Sequence, residues 1–115
     1  MKLILDYKKD PELFSNTAKK WAEEIERTKK SQVRNFYDKV LDLNQRARHE
    51  EDFGEILPFV KMLNSKVAYA VTRGVAKREF EEMMHLCIDQ VKTKEDLHVF
   101  KLFFEAVLGF YKGRD

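Results

Sequence analysis

The 115-residue sequence has few of the residues that interrupt or cross-link a chain, with four Gly, two Pro and one Cys. A β-sandwich or β-barrel needs many tight turns and therefore more Gly and Pro, whereas long helices need little interruption. The lone Cys87 excludes an internal disulfide, and its place in an apolar helical stripe indicates a packing role in a reducing compartment. These shortages favour an all-α fold.

Long apolar runs are also missing. The N-terminal run covers only residues 3–5, which is far shorter than the core of a secretion signal. The most apolar segment, residues 99–111, contains Lys101 and Glu105 and is well below the roughly 20 residues that cross a bilayer. We therefore expect a cytoplasmic protein without membrane contact.

The composition is that of a folded protein, with 43% hydrophobic and 37% charged residues. A chain of this length is close to the commonest size of one domain. We expect a single helical domain over residues 1–115, with residues 1–9 as an N-terminal tail, and a compact bundle of about five helices.

Apolar residues at intervals of three and four predict where the helices lie. The fifth helix is apolar on two faces, because Leu102, Phe103 and Phe110 fall outside its main stripe, so it is either central in the fold or covered by a partner. We expect the isolated chain to self-associate through it as a homodimer. A short turn is expected around Phe53. The predicted helices run from Asp10 to about Arg27, from near Ser31 to just before Glu50, from Pro58 to Arg73-Gly74, from Ala76 to Lys92, and from the Thr93 cap to about Lys112.

Sequence motifs for catalysis are scarce. There is no Gly-rich phosphate loop, paired-Cys metal motif or nucleophile elbow. Two Glu-x-x-His pairs, Glu82 with His85 and Glu95 with His98, are of the kind that holds two metals in four-helix carboxylate proteins. However, the first pair points away from the apolar stripe and the second lies in a first turn. We expect no catalytic residue, metal or cofactor, and a metal-dependent helical enzyme is the less favoured alternative.

Positive charge is concentrated in two parts of a chain whose net charge is only +2. Residues 27–48 hold seven basic residues against two acidic ones, and residues 56–78 hold five basic residues and no acidic one. In the third helix Met62, Lys66, Tyr69 and Arg73 share the side opposite the apolar stripe. Such a strip can neutralise phosphates and stack a base. The alternative is a solvated face with Tyr69 packed on a neighbouring helix.

Three stretches, residues 31–37, 57–73 and 103–112, resemble the Csm small subunit of type III-A CRISPR effector complexes. The resemblance implies an all-helical, non-catalytic subunit that stacks with its own copies and with other Csm subunits in a short filament. It also implies that basic helix faces hold target RNA paired with CRISPR RNA, through backbone contacts that do not read sequence. Together, the resemblance and the charge distribution give these candidate RNA-binding residues: Gln32, Arg34, Lys39, Lys61, Lys66, Tyr69 and Arg73.

A second function class is a stand-alone helical adaptor that binds another protein through the fifth helix. It accounts for the surplus apolar surface but not for the acid-free stretch from residue 56 to residue 78. Salt-sensitive RNA binding separates the two functions, because phosphate contacts weaken as salt concentration rises.

Overall fold

The computed structural model describes residues 1–113, which form five α-helices and no strand. The all-α prediction is therefore confirmed. None of the helices formed by these residues is long and apolar enough to cross a membrane. The helices are α1 (Asn16–Glu24), α2 (Lys30–His49), α3 (Leu57–Thr72), α4 (Arg78–Asp89) and α5 (Lys94–Phe110), with a 3₁₀ helix (Phe53–Glu55) between α2 and α3.

The core lies between two helical layers, because α5 packs mainly against α1 and α2, and α3 packs against α4. Aromatic rings connect the layers. Phe80 of α4 lies edge-on to Phe36 of α2 at 5.5 Å and to Phe104 of α5 at 6.2 Å. The predicted apolar stripes are largely buried, and they include Val33, Phe36, Val40, Leu43 and Ala47 of α2, Phe80, Met83, Met84, Cys87 and Ile88 of α4, and Leu97, Phe100, Phe104 and Val107 of α5.

The prediction of a second, uncovered face on α5 is wrong for Phe103. Its side chain is 0% exposed within the chain itself. Because α1 and α2 both pack against α5, an apolar residue outside the main stripe can still point into the core. Of the other two residues, Leu102 is half-buried and only Phe110 is exposed.

The first helix begins later than predicted, at Asn16 and not at Asp10. One carboxylate oxygen of Asp10 accepts the Glu12 N–H at 3.0 Å, and the other accepts the Thr17 hydroxyl at 2.7 Å. This side chain stabilises a turn of its own backbone, a conformation that competes with helix. Asp10 therefore caps the turns before α1, and α1 also ends before Arg27.

The first residues pack against the core, although we expected a tail. Leu3 and Leu5 are each only 6% exposed. The Gln90 side chain, just after α4, accepts the Leu5 N–H at 2.9 Å and donates to the Leu3 carbonyl at 2.8 Å. The Trp21 indole N–H also reaches the Lys2 carbonyl at 3.4 Å. We call the contact between Gln90 and residues 3–5 the N-terminal clasp.

The remaining helix ends agree with the sequence to within a few residues. Pro58 lies in the first turn of α3, where a missing N–H costs nothing. Gly74 follows α3 with φ at 78°, a conformation that glycine adopts without strain. Thr93 and Asp96 form the predicted capping box of α5. The fourth helix is shorter than predicted, from Arg78 to Asp89.

Candidate nucleic-acid interface

A groove runs between α2 and α3 and is lined by residues of both helices. Each helix lines it with one row of side chains at alternating intervals of three and four, which is the spacing of a single helix side. The start of α2 faces the end of α3, so the helices run antiparallel. The rows are Gln32, Asn35, Lys39, Asp42 and Arg46 on α2, and Phe59, Met62, Lys66 and Tyr69 on α3, followed by Arg73 at its C-terminal end. We call this surface the α2–α3 groove.

One half of the groove is polar and contains the predicted basic strip. Its cavity of about 220 Å³ is lined by Gln32, Asn35 and Lys39 on one side and by Lys66, Tyr69 and Arg73 on the other. Tyr69 is 64% exposed, and the Arg73 guanidinium lies 5.5 Å from the centre of its ring. This distance allows a cation–π contact. Tyr69 is therefore not packed on a neighbouring helix, and its exposure agrees both with RNA binding and with the alternative of a solvated face.

The other half of the groove combines charge with apolar surface. Its cavity of about 280 Å³ shares Lys39 and Lys66 with the polar half, so the two halves are continuous. Leu43 and Leu63 are buried beneath it. The groove therefore offers a recess with an apolar floor beside its cations, and Phe59 and Met62 project into this half.

The charge of the groove is positive. Among residues 1–113, the groove is lined by four cations, Lys39, Arg46, Lys66 and Arg73, and by one carboxylate, Asp42. The Asp42 carboxylate lies 3.0 Å from the Arg46 guanidinium, and both side chains are more than half exposed. Exposed pairs of this kind are weak. Since an approaching phosphate can compete for Arg46, all four cations can contribute to binding a polyanion.

The structure brings five of the seven predicted residues into the groove and leaves two outside it. Arg34 is exposed on α2 but belongs to neither row. Lys61 points toward α4, where its ammonium group donates to the Ile88 carbonyl at 2.8 Å. A lysine at the C-terminal end of a helix satisfies a free carbonyl and the negative end of the helix dipole. Lys61 therefore stabilises the contact between α3 and α4.

Sequence reasoning missed four groove residues, Asn35, Asp42, Arg46 and Phe59. Their helical spacing could have identified them, because each continues the intervals of three and four between residues already predicted for the same helix side. What the sequence did not show is that these two helix sides face each other.

Arg34 lies near a polar contact between α2 and α5. The Tyr37 hydroxyl donates to a Glu105 carboxylate oxygen at 3.1 Å, and the Lys101 ammonium group lies 2.8 Å from the same oxygen. Burial, followed by the hydrogen bond to Glu105, raises the pKa of Tyr37 to about 12. The hydrogen bond from Lys101, followed by that from Tyr37, lowers the pKa of Glu105. These groups hold two helices together.

The two Glu-x-x-His pairs lie on different helices, the first on α4 and the second on α5, and neither pair lines the α2–α3 groove. Glu82 lies 3.5 Å from the amino group of Met1, whereas His85 contacts the side chains of Asn64 and Glu81. A ring nitrogen of His98 lies 3.3 Å from the amide nitrogen of the buried Asn44. Within residues 1–113 no three His, Cys, Asp or Glu side chains are close enough to share a metal ion.

A larger cavity of about 610 Å³ lies between the N-terminal segment, α2 and α5. Its walls are mainly apolar, and its charged side chains are of both signs, with Arg48 and Lys94 against Glu95. This mixture does not favour a polyanion. The smaller α2–α3 groove has the charge pattern suited to nucleic acid, so we take it as the candidate site.

Comparison with known protein families gives a match. A family model described as Csm2 Type III-A matches residues 8–114. No curated protein and no solved structure matches the chain. The matched range contains all five helices and both walls of the α2–α3 groove.

Proposed function

Because the chain belongs to the Csm2 Type III-A family, the small subunit of a CRISPR effector complex, we propose that it is a non-catalytic RNA-binding subunit. Its ligand is the backbone of target RNA paired with CRISPR RNA. Its protein partners are the other Csm subunits and further copies of itself, stacked in a filament. The proposal assigns it no cofactor and no catalytic residue.

The observation that carries this proposal is the gathering of Gln32, Lys39, Lys66, Tyr69 and Arg73 in one groove from two helices. Lysine and arginine neutralise phosphates, and the amide and hydroxyl groups supply hydrogen bonds to phosphate or sugar. Such contacts carry no sequence information. This suits a subunit of a complex in which guide pairing already selects the target.

The test is a double substitution, Lys66→Ala with Arg73→Ala, in the assembled complex with CRISPR RNA. Both side chains are exposed, so we expect folding and assembly to persist. A hydrogen bond to a charged group contributes about 1.5 kcal/mol at the low end, and exposure reduces this value. We expect target RNA to bind about 10-fold more weakly or worse, because two such contacts are lost.

A matched control is Lys19→Ala with Lys20→Ala, which removes the same charge from an exposed part of α1 outside the groove. The groove variant should lose affinity similarly for target RNAs of unrelated sequence, each paired with its own guide. Equal affinity of the groove variant and the parent, in fully assembled complexes, contradicts the proposal. Equal losses of RNA affinity in the two double variants mean that net charge alone causes the effect, and this outcome also contradicts the proposal.

A further inference from the structure

The apolar half of the α2–α3 groove contains two large exposed apolar side chains beside each other. Phe59 is 49% exposed and Met62 is 47% exposed, and they lie three residues apart on one side of α3. A single exposed apolar residue is normal on a protein surface. Here the two share a recess with the buried Leu43 and Leu63, so the recess presents a ring, a thioether and an apolar floor.

Cations border this recess on both sides. Lys39 and Arg46 come from α2 and Lys66 comes from α3. An apolar side chain of a protein partner would fill the recess but would take Lys39 and Lys66 out of water without pairing them, at a cost in free energy. A nucleotide brings a flat apolar base for the recess and a phosphate for the cations. Charge complementarity therefore favours a nucleotide.

The base must be unpaired. Within a duplex both faces of each base are covered by stacking, whereas an unpaired base has a free face that stacks on aromatic side chains regardless of its identity. Resting on the function proposed above, we infer that Phe59 and Met62 form a stacking site for one unpaired nucleobase of the bound RNA, next to the cations that hold the strand by its phosphates.

Zero-length photo-crosslinking in the assembled complex tests this inference. The target RNA and the CRISPR RNA each carry a single 4-thiouridine, moved one position at a time, and the crosslinked peptides are identified by mass spectrometry. We expect a small set of positions to crosslink to Phe59 or Met62. Phe59→Ala with Met62→Ala should abolish that crosslink, whereas crosslinks to neighbouring groove residues persist.

A kinetic measurement separates stacking from simple contact area. Loss of one base–aromatic stack should speed release of target RNA by about 5- to 150-fold. We expect this in Phe59→Leu, which keeps apolar bulk but removes the ring, and we expect near-parent release in Phe59→Trp. The matched control is Tyr7→Leu, because Tyr7 is another exposed aromatic residue but lies before α1, outside the groove.

Two results overturn the inference. One is the absence of any crosslink to Phe59 or Met62 at every position of both strands. The other is loss of complex assembly in the Phe59 variants, which makes the recess an interface with another protein subunit. Either result leaves the proposed function standing if Lys66→Ala with Arg73→Ala still weakens RNA binding, so the two failures are distinguishable.

Discussion

The N-terminal clasp predicts that Gln90 stabilises the fold. Its side chain makes the hydrogen bonds that water would otherwise make with the backbone of Leu3 and Leu5. Its side-chain amide makes three hydrogen bonds, with the Leu5 N–H, the Leu3 carbonyl and the Leu86 carbonyl, all within 2.9 Å. In Gln90→Ala the groups of Leu3 and Leu5 lose their partners beside two buried leucine side chains. An unsatisfied buried polar group costs about 1–3 kcal/mol.

Because the clasp is only partly buried, we use the lower end of that range for each group. The expected loss is about 2 kcal/mol of unfolding free energy, out of the 5–15 kcal/mol typical of a domain. For a domain of this size the loss lowers Tm by about 8 °C. Urea unfolding followed by circular dichroism measures it, and Gln45→Ala, an exposed glutamine on α2, is the matched control.

A chain without residues 1–5 provides the sharper comparison. There the Leu3 and Leu5 backbone groups are gone, so Gln90→Ala should cost much less than it does in the full chain. The same cost in both chains refutes the clasp as the cause. A full-length Gln90→Ala variant as stable as the parent refutes the reasoning altogether.

Two further predictions concern α5. In Tyr37→Phe we expect a loss of about 1 kcal/mol near pH 8, the typical contribution of one hydrogen bond. Because the pKa of Tyr37 is raised from 10.0 to about 12, its contribution to stability is complete below pH 10 and declines as pH rises toward 12. The difference in unfolding free energy between parent and variant, measured by urea titration, should therefore narrow over that range. A constant difference contradicts this assignment. Self-association of the isolated chain, if α5 mediates it, depends on Phe110 and not on the buried Phe103. Sedimentation over a concentration series should show association that Phe110→Asp weakens, and a parent that stays monomeric throughout contradicts it.

The helices were predictable because their apolar residues recur with a helical period. In α4 Phe80, Met84, Cys87 and Ile88 follow that period and are all buried. The start of α1 was not predictable in this way, because the Asp10 side chain accepts the Glu12 N–H in a turn, where the sequence pattern predicted a helix cap. The local preference of Asp10 therefore does not decide between a turn and a helix start.

The N-terminal clasp was hidden for a different reason. Leu3 and Leu5 form a short alternating pattern, and their burial depends on Gln90, 85 residues away from Leu5 along the chain. Such a contact follows from the packing of the whole domain. The same holds for Lys61, whose position in a basic stretch suggested RNA, but whose ammonium group is used by the end of α4.

The candidate site was predictable as one helix side and not as a groove. Lys66, Tyr69 and Arg73 follow from the spacing in α3, but nothing in that spacing selects α2 as the opposite wall. The packing of buried faces sets which helices lie side by side. Only the structure therefore showed that Arg46 and Phe59 line the site.

The central claim is that Lys66 and Arg73 contact RNA phosphates, and the salt dependence of binding tests it most directly. Target RNA affinity of the assembled complex is measured over a range of salt concentrations for the parent and for Lys66→Ala with Arg73→Ala. Log K falls as log salt rises, and each lost phosphate contact makes this slope shallower by about 0.7 for a single strand. We therefore expect the slope of the double variant to be shallower by about 1.4. An unchanged slope in a folded and assembled double variant contradicts the claim that these side chains bind the RNA backbone.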